Sequence, residues 1–349
     1  MQSIFQNTIP LAAPANPFRS SLLADQTDTV REIHRRLKGA QRVLIATHEH
    51  PDGDAAGSSL ALLHALRYAG KQVVAYIPDP APDMLSFLPA FAQLTCDIPD
   101  PAQFDTVVVL DATYVARTHL AEALAQHPAV ICIDHHYDNQ GEGQLNLVVP
   151  EAAATAHILA VFFLETDVAI TTDMATCLLT GIFTDTGSFM HDSTSPDILQ
   201  LASFLMSRGA RLSHIAHETY QKKELSALQI WGRALSRIMI TPKGGAAVSV
   251  VTQRDLQECR ATLDDLSGVV NMLNTLPDTS FALLLCEHVP GKIKGSLRSE
   301  PHKHTDVSAI AKALGGGGHK LAAGFEIEGR IIKQNGSWRI VSAASSGSS

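Results

Sequence analysis

Aspartate and histidine residues gather in four short stretches of this 349-residue sequence, each at the end of an apolar run or a helical pattern. HEHPDGDAAGS at 48–58 follows RVLIAT and carries His48, Asp52 and Asp54, with Pro51 and Gly53 permitting a tight path. Asp111 ends TVVVLD, Asp134-His135-His136 ends AVICID and its continuation, and Asp185 lies in GIFTDTGSF after the helical pattern TTDMATCLLTGIF. Carboxylate oxygens suit hard divalent cations such as Mg²⁺ and Mn²⁺, and imidazole among the ligands moves the preference toward Mn²⁺. The donor set is expected to hold two Mn²⁺ ions, with Mg²⁺ able to substitute. Two such ions about 3.5–4 Å apart clamp the attacking and leaving oxygens of an in-line displacement at phosphorus. No cysteine lies in these loops, so thiolate-bound zinc has no support.

Each stretch also has a plainer reading. Asp52 and Asp54 serve equally well in an Asx-turn or as caps of a helix opening at Ala55. Asp111 could be an ordinary turn residue, and a lone histidine is more often structural than ligating. What favours the metal is the conjunction: reactive groups in open α/β sheets collect at strand ends, and four clusters fall there together.

The elements that must position them are short β-rich runs alternating with helical patterns. Strands are expected at 42–47, 72–77, 106–111 and 129–134, and a helix from about Ala55 to Tyr68. The runs are almost continuously apolar, as in a parallel sheet covered on both faces. The fold class expected is α/β, with a parallel-sheet catalytic domain at 26–194 and a helical connector at 195–235. A smaller α/β domain follows at 236–332, and the active site is expected in a cleft between the two. In that second domain, strands are expected near 247–251, 281–286, 292–298 and 321–327, and helices near 263–274 and 306–314. Residues 1–25 are expected to be a mobile extension and 333–349 a tail.

Composition is globular, with 45% hydrophobic and 18% charged residues. No apolar run is long enough to span a bilayer, and the start lacks a basic segment followed by an apolar core, so a cytoplasmic, membrane-independent protein is expected. The five widely spaced cysteines suggest buried thiols rather than a disulfide framework. A net charge of −8 argues against tracking along long nucleic acid, because such binding draws on neutralising many phosphates. The local exception is Lys292, Lys294, Arg298 and Lys303 with His288, His302 and His304, a cluster able to hold a phosphate or two. The glycine run at 315–318, followed at once by His319, could be a linker, but its amides could also approach an anion closely.

These motifs resemble those of DHH phosphoesterases. HEHPDGDAAGS, Asp111, Asp134-His135-His136 and GIFTDTGSF are similar to the four motifs of the catalytic domain. GSLRS and GGGGHKLAAGF are similar to the substrate-binding segments of the DHH-associated domain. The likeness spans roughly residues 25–330 and looks most like the nanoRNase branch. It implies that His48 and Asp52 bind one metal, that Asp54, His135 and Asp185 bind the other, and that Asp111 bridges. His136 would face the scissile phosphate and Asp134 would orient the histidine pair, while Ser296, Arg298, Gly315, Gly316, Gly317, Gly318 and His319 would bind substrate. The activity implied is manganese-dependent cleavage of very short oligoribonucleotides to nucleoside 5′-monophosphates, with 3′-phosphoadenosine 5′-phosphate as a further substrate. A cyclic- or linear-dinucleotide phosphodiesterase shares the same centre, and an inactive nucleotide sensor is the alternative of another class. A family II pyrophosphatase is disfavoured by GGGGHKLAAGF, and a RecJ-type processive exonuclease by the absence of extra nucleic-acid modules. Expected partners are short oligonucleotides or small nucleotides; a homodimer is left open.

Overall fold

Valine, isoleucine and leucine on consecutive positions favour strands that bury both faces. In the computed structural model, which describes residues 20–242 and 245–341, such runs form the centre of the first of two units, Met1–Lys222 and Lys223–Ser349. Most of the extension expected at 1–25, and 342–349 of the expected tail, lie outside the described residues.

The first unit opens with α1 (Thr27–Gly39), β1 (Arg42–Ala46), α2 (Gly53–Tyr68) and β2 (Gln72–Tyr76). It continues through β3 (Leu94–Thr95), β4 (Thr106–Leu110), α3 (Ala121–Leu124), β5 (Val130–Asp134) and β6 (Leu145–Val148). Helices α4 (Thr155–Glu165), α5 (Thr172–Asp185), α6 (Pro196–Ser207) and α7 (Leu212–Ala216) complete it. All six strands are parallel, in the order β3-β2-β1-β4-β5-β6. Alternate residues feed two cores: Val43, Ile45, Val108, Leu110, Ile131 and Ile133 pack with α1, α2, α4 and α5, while Leu44, Ala46, Val107, Val109, Val130 and Cys132 pack on the other side. The chain departs from β1 to β2 on one side and β4 on the other. That reversal is the switch point where α/β sheets open a crevice at the carboxyl ends of their strands.

Helix α2 is buried almost all round, and it crosses α5 through small residues. A Cβ on Gly57 would stand 2.5 Å from the Cys177 carbonyl oxygen, and one on Gly181 would stand 2.6 Å from Asp54 Oδ1. This close approach brings the start of α2 beside the end of α5.

The second unit contains α8 (Leu225–Leu235), β7 (Met239–Ile240), β8 (Ala246–Val251), α9 (Gln253–Cys259), α10 (Val269–Asn274), β9 (Phe281–Val289) and β10 (Lys292–Arg298). It ends with α11 (Val307–Ala313), β11 (Gly317–His319), β12 (Ala322–Glu328), β13 (Arg330–Gln334) and β14 (Ser337–Val341). Its sheet is mixed, in the order β11-β12-β10-β9-β8-β7, with β8 and β9 parallel and the other pairs antiparallel. Residues of α8, α9 and α10 share one core with Ala282, Leu284 and Cys286, whereas Val307 and Ala311 of α11 share the other with Ile293, Leu297, Ala323 and Phe325.

Several elements differ from the sequence reading. The stretch expected to be a connector divides: α6 and α7 belong to the first unit, and α8 to the second, where Ile230 and Ala234 are buried. The helix expected at 263–274 is only α10, because Gly268, at φ +91, breaks it from the turn at Asp264–Leu266. The hairpin of β13 and β14 occupies residues assigned to the tail from 333, its Ile331 buried in the core. Four of the cysteines are buried, but Cys96 is exposed. Among the described residues no helix is long and apolar enough to cross a membrane.

Candidate metal centre

The tight loop after β1 places His48 inside the protein, where the Glu49 carbonyl lies 2.6 Å from Nδ1 and Nε2 faces Asp111 Oδ2 at 3.6 Å. A carbonyl can only accept, so Nδ1 carries the proton and Nε2 offers its lone pair. Arg117, from the loop after β4, comes within 3.2 Å of the same Nδ1, but a guanidinium can only donate, so with the proton on Nδ1 this is a close approach and not a hydrogen bond. Asp52 caps α2: its Oδ1 accepts from the amides of Asp54 and Ala55 at 3.0 and 3.1 Å. The cap reading of Asp52 is therefore correct, and it fixes the side chain beside His48 and Asp111 without using both oxygens.

Asp54 is gripped by a different helix. Its Oδ2 accepts from the Thr155 amide at 2.6 Å and its Oδ1 from the Ala156 amide at 2.9 Å, at the start of α4. Unsatisfied amides and the helix dipole favour a carboxylate there, yet burial, together with nearby Asp185 and Asp52, pushes its pKa up to about 7. Asp111 leaves β4 in a left-handed conformation, φ +58, which turns its carboxyl inward. Thr155 Oγ1 donates to its Oδ1 at 3.0 Å. Burial, then Asp54 and Asp52, raise its pKa well above the ordinary carboxylate value.

At the end of β5, His135 Nε2 stands 3.6 Å from both Asp111 Oδ1 and Asp185 Oδ2. Burial works to lower the pKa of His135, but Asp111, Asp185 and Asp54 outweigh it and raise it. The pKa of Asp185, at the end of α5, is raised chiefly by burial. Asp134 organises the histidine pair instead. Its Oδ1 accepts from the amides of His135 and His136 and from His136 Nδ1 at 2.7 Å, while its Oδ2 accepts from Asn139 at 2.6 Å. Burial would raise its pKa, but the His136 and Asn139 hydrogen bonds hold it below the ordinary value.

All eight aspartate and histidine residues picked from the sequence thus converge. His48, Asp52 and Asp111 form one group with ligand atoms within 4.8 Å of one another; Asp54, His135 and Asp185 form a second. A third group joins Asp111 to Asp134, His135 and His136. Carboxylates raised by one another and by burial form a site whose electrostatics favour cations, and oxygen-rich donors with imidazole fit a hard divalent metal. Thr155, Ala156, Asn139 and Arg117 were not foreseen, since two act through backbone amides, which leave no side-chain signature, and the others read as ordinary polar loop residues.

In the second unit, cross-strand register sets Arg298 opposite Ala322, and Ala322 opposite His319; likewise Ser296, Gly324 and Gly317 share a row. Residues so paired project from the same face, and the β12 residues between Arg298 and His319 in that row are small. Lys294, Ser296 and Arg298 also line a cavity of about 250 Å³ with residues around the start of α10. Burial lowers the pKa of Arg298, whose Nη1 donates to the Leu297 carbonyl at 2.9 Å.

The rest of the basic cluster does not assemble there. Lys292 and His288 pair with Glu326 at 3.0 and 2.8 Å, and Lys303 is held by Asn274 and Thr279. The glycine run divides too: the amides of Gly315 and Gly316 donate to Lys312 and Ala311 at the end of α11, so they are occupied before any anion arrives. Gly317 and Gly318 belong to β11, where a Cβ on Gly318 would meet the Ala322 carbonyl at 2.6 Å.

Residues 42–182 match the DHH family, N-terminal domain, and residues 244–336 match the DHHA1 domain. The chain is 33% identical over 307 residues to a bifunctional oligoribonuclease and PAP phosphatase NrnA of Thermus thermophilus, covering 87% of this chain and 89% of that one. A protein of the same name from Bacillus subtilis is 25% identical over 302 residues, covering 85% and 92%. Among solved structures, an exopolyphosphatase-related protein from Bacteroides fragilis superposes with a TM-score of 0.80 at 27% identity, covering 86% of this chain and 91% of the other.

Proposed function

The chain belongs to the DHH superfamily of phosphoesterases, in its NrnA-type branch, and from that membership we propose that it is an oligoribonuclease releasing nucleoside 5′-monophosphates from very short RNA and dephosphorylating 3′-phosphoadenosine 5′-phosphate. The observation that carries the reading is that two separate donor groups meet near Asp111. In this reading His48 and Asp52 hold one Mn²⁺, Asp54, His135 and Asp185 hold the other, and Asp111 joins them. Bound there, the two ions would supply positive charge to the phosphate oxygens and acidify a water nucleophile.

The protein's own groups do the positioning. The α4 amides fix both Asp54 oxygens, so that carboxylate cannot rotate away from the cluster. Asp134 accepts a hydrogen bond from His136 Nδ1, which leaves Nε2 directed away from Asp134 and able to meet a phosphate oxygen. In the second unit, Arg298 supplies planar donors suited to phosphate, with Ser296 and His319 on the same face.

The test is a substrate panel with purified protein and Mn²⁺: di- to 24-nucleotide RNA, 3′-phosphoadenosine 5′-phosphate, linear and cyclic dinucleotides, and pyrophosphate. Rapid hydrolysis of di- to pentanucleotides with slow hydrolysis of the 24-mer is expected. Cleavage confined to cyclic dinucleotides or to pyrophosphate would replace this reading.

A further inference from the structure

Parallel strands β4 and β5 pair with Leu110 opposite Ile133, so Asp111 and Asp134 leave the sheet side by side. Three residues beyond each aspartate stands a tyrosine, Tyr114 on one loop and Tyr137 on the next. The chain has only five tyrosines, and these two occupy matching positions three residues beyond members of the candidate metal centre. Both rings are open to solvent, Tyr114 at 44% and Tyr137 at 74% exposure. Tyr114 Oη donates to Asp138 Oδ2 at 3.3 Å, tying its loop to the residue after Tyr137. The hydroxyl is anchored while the ring remains available, the arrangement in which a tyrosine offers an apolar face from a polar setting.

With cations bound, the aspartate–histidine cluster can take a phosphate, but it presents nothing for a nucleobase. A nucleotide with its phosphate there needs an aromatic or apolar surface nearby for its base, and these are the large exposed apolar side chains on the β4 and β5 loops. We propose that Tyr137 and Tyr114 seat the base of the nucleotide whose phosphate reaches the aspartate–histidine cluster. The proposal rests on the nucleotide reading above and adds the base-recognition element to it. Stacking accepts any base because every base has a π-face, so the seat selects nucleotides over sugar phosphates without selecting sequence.

Binding of AMP and of ribose 5-phosphate, measured by titration calorimetry with Mn²⁺ present, separates the base from the phosphate. Wild-type protein should bind AMP more tightly. Tyr137→Ala should weaken AMP binding roughly ten- to one-hundredfold, the loss of one base–aromatic stack. It should leave ribose 5-phosphate within about twofold, since the phosphate contacts persist. Tyr137→Phe should retain most of the AMP affinity, and Tyr114→Ala should show a smaller loss of the same kind. The proposal is overturned if wild-type protein does not prefer AMP over ribose 5-phosphate, if Tyr137→Ala weakens both ligands equally, or if it weakens neither. Product binding needs no turnover, so a wild-type enzyme that failed to cleave dinucleotides would defeat the oligoribonuclease reading while leaving this measurement able to decide the base seat.

Discussion

In the first unit Asp54 and Asp111 lie buried within reach of other carboxylates, whereas in the second Asp255 lies equally buried against two guanidinium groups. Arg237 grips Asp255 with both terminal nitrogens, at 2.5 and 2.7 Å, and Arg233 adds a contact at 3.0 Å. Thr252 closes a capping box on it at the start of α9. Burial alone would raise the Asp255 pKa, but the Arg237 and Thr252 hydrogen bonds bring it down to about 2. The same physics pushes Asp54 up to about 7. Burial desolvates both; what differs is whether the protein supplies the countercharge itself or leaves it to a ligand. A carboxylate neutralised from within is architecture. One raised by its neighbours is a receptor, and it costs metal-free stability.

The largest effect that could break this contrast is on turnover. Asp111→Asn should lower kcat by at least about 10³-fold and reduce bound metal if, as proposed, Asp111 joins the two donor sets. Near-normal rate with full metal content would remove Asp111 from the bridging position. His136→Ala should lose about 10²–10⁴ in rate while keeping most of its metal, as expected of a group acting on phosphate, whereas His135→Ala should lose both. Metal analysis of the two variants decides, and equal metal loss would show the histidine roles to be wrongly divided.

On the other side of the comparison, Asp255→Ala strands Arg237 and should destabilise the second unit by about 3 kcal/mol. Thermal unfolding should register that loss with no change in metal content. In the same unit Arg298→Ala should lower kcat/KM on dinucleotides by about one to two orders of magnitude, the loss of a charge-assisted contact. A small activated phosphodiester should be much less affected, and equal damage to both substrates would count against a substrate-gripping role.

The smallest effect is the sharpest in sign. A carboxyl whose folded pKa is raised binds its proton more readily in the folded chain. Metal-free stability is therefore present at low pH and lost as pH rises from about 4 to about 7, the unfolded value and the Asp54 value. Asp255 runs the other way, losing its contribution as pH falls from about 4 to about 2. In chelator-treated protein, Asp111→Asn should raise Tm by roughly 2–4 °C, about 1 kcal/mol, at pH high enough to ionise the cluster, and scarcely at all at pH 4.5. With Mn²⁺ present the same variant should melt below wild type. A variant that lowers Tm in both conditions would mean that the cluster is stable without a cation.

The members of the aspartate–histidine cluster were legible because parallel strands are continuous apolar runs, and polar groups that interrupt them at their ends stand out. Asp111 after TVVVL and Asp134 after VICI stand out on that ground. The supports were not legible. Asp54 is held by amides about a hundred residues away in sequence, and the Gly57–Gly181 crossing of α2 and α5 looks in sequence like small residues in two ordinary helices. In the second unit the glycine run suggested amides open to an anion, but its sequence did not show that Gly315 and Gly316 commit their amides to α11. The hairpin of β13 and β14 was missed because its polar exposed residues resemble a tail, and its tie to the fold lies in Ile331 and the buried Glu287 that receives the Ile331 amide at 3.0 Å.

Because α5 must dock against α2 before Asp185 can meet Asp54 and His135, the order in which the chain is made matters. His48 through His136 leave the ribosome well ahead of Asp185, by several seconds at about 5–20 residues per second. During that interval the emerging chain carries every member of one donor group and the other without its last carboxylate. A cation captured early would meet a half-built pocket, held only loosely. If the cluster takes two ions as proposed, firm retention of both waits for the glycine-lined helix to arrive, so metal loading would report that α5 has docked on α2.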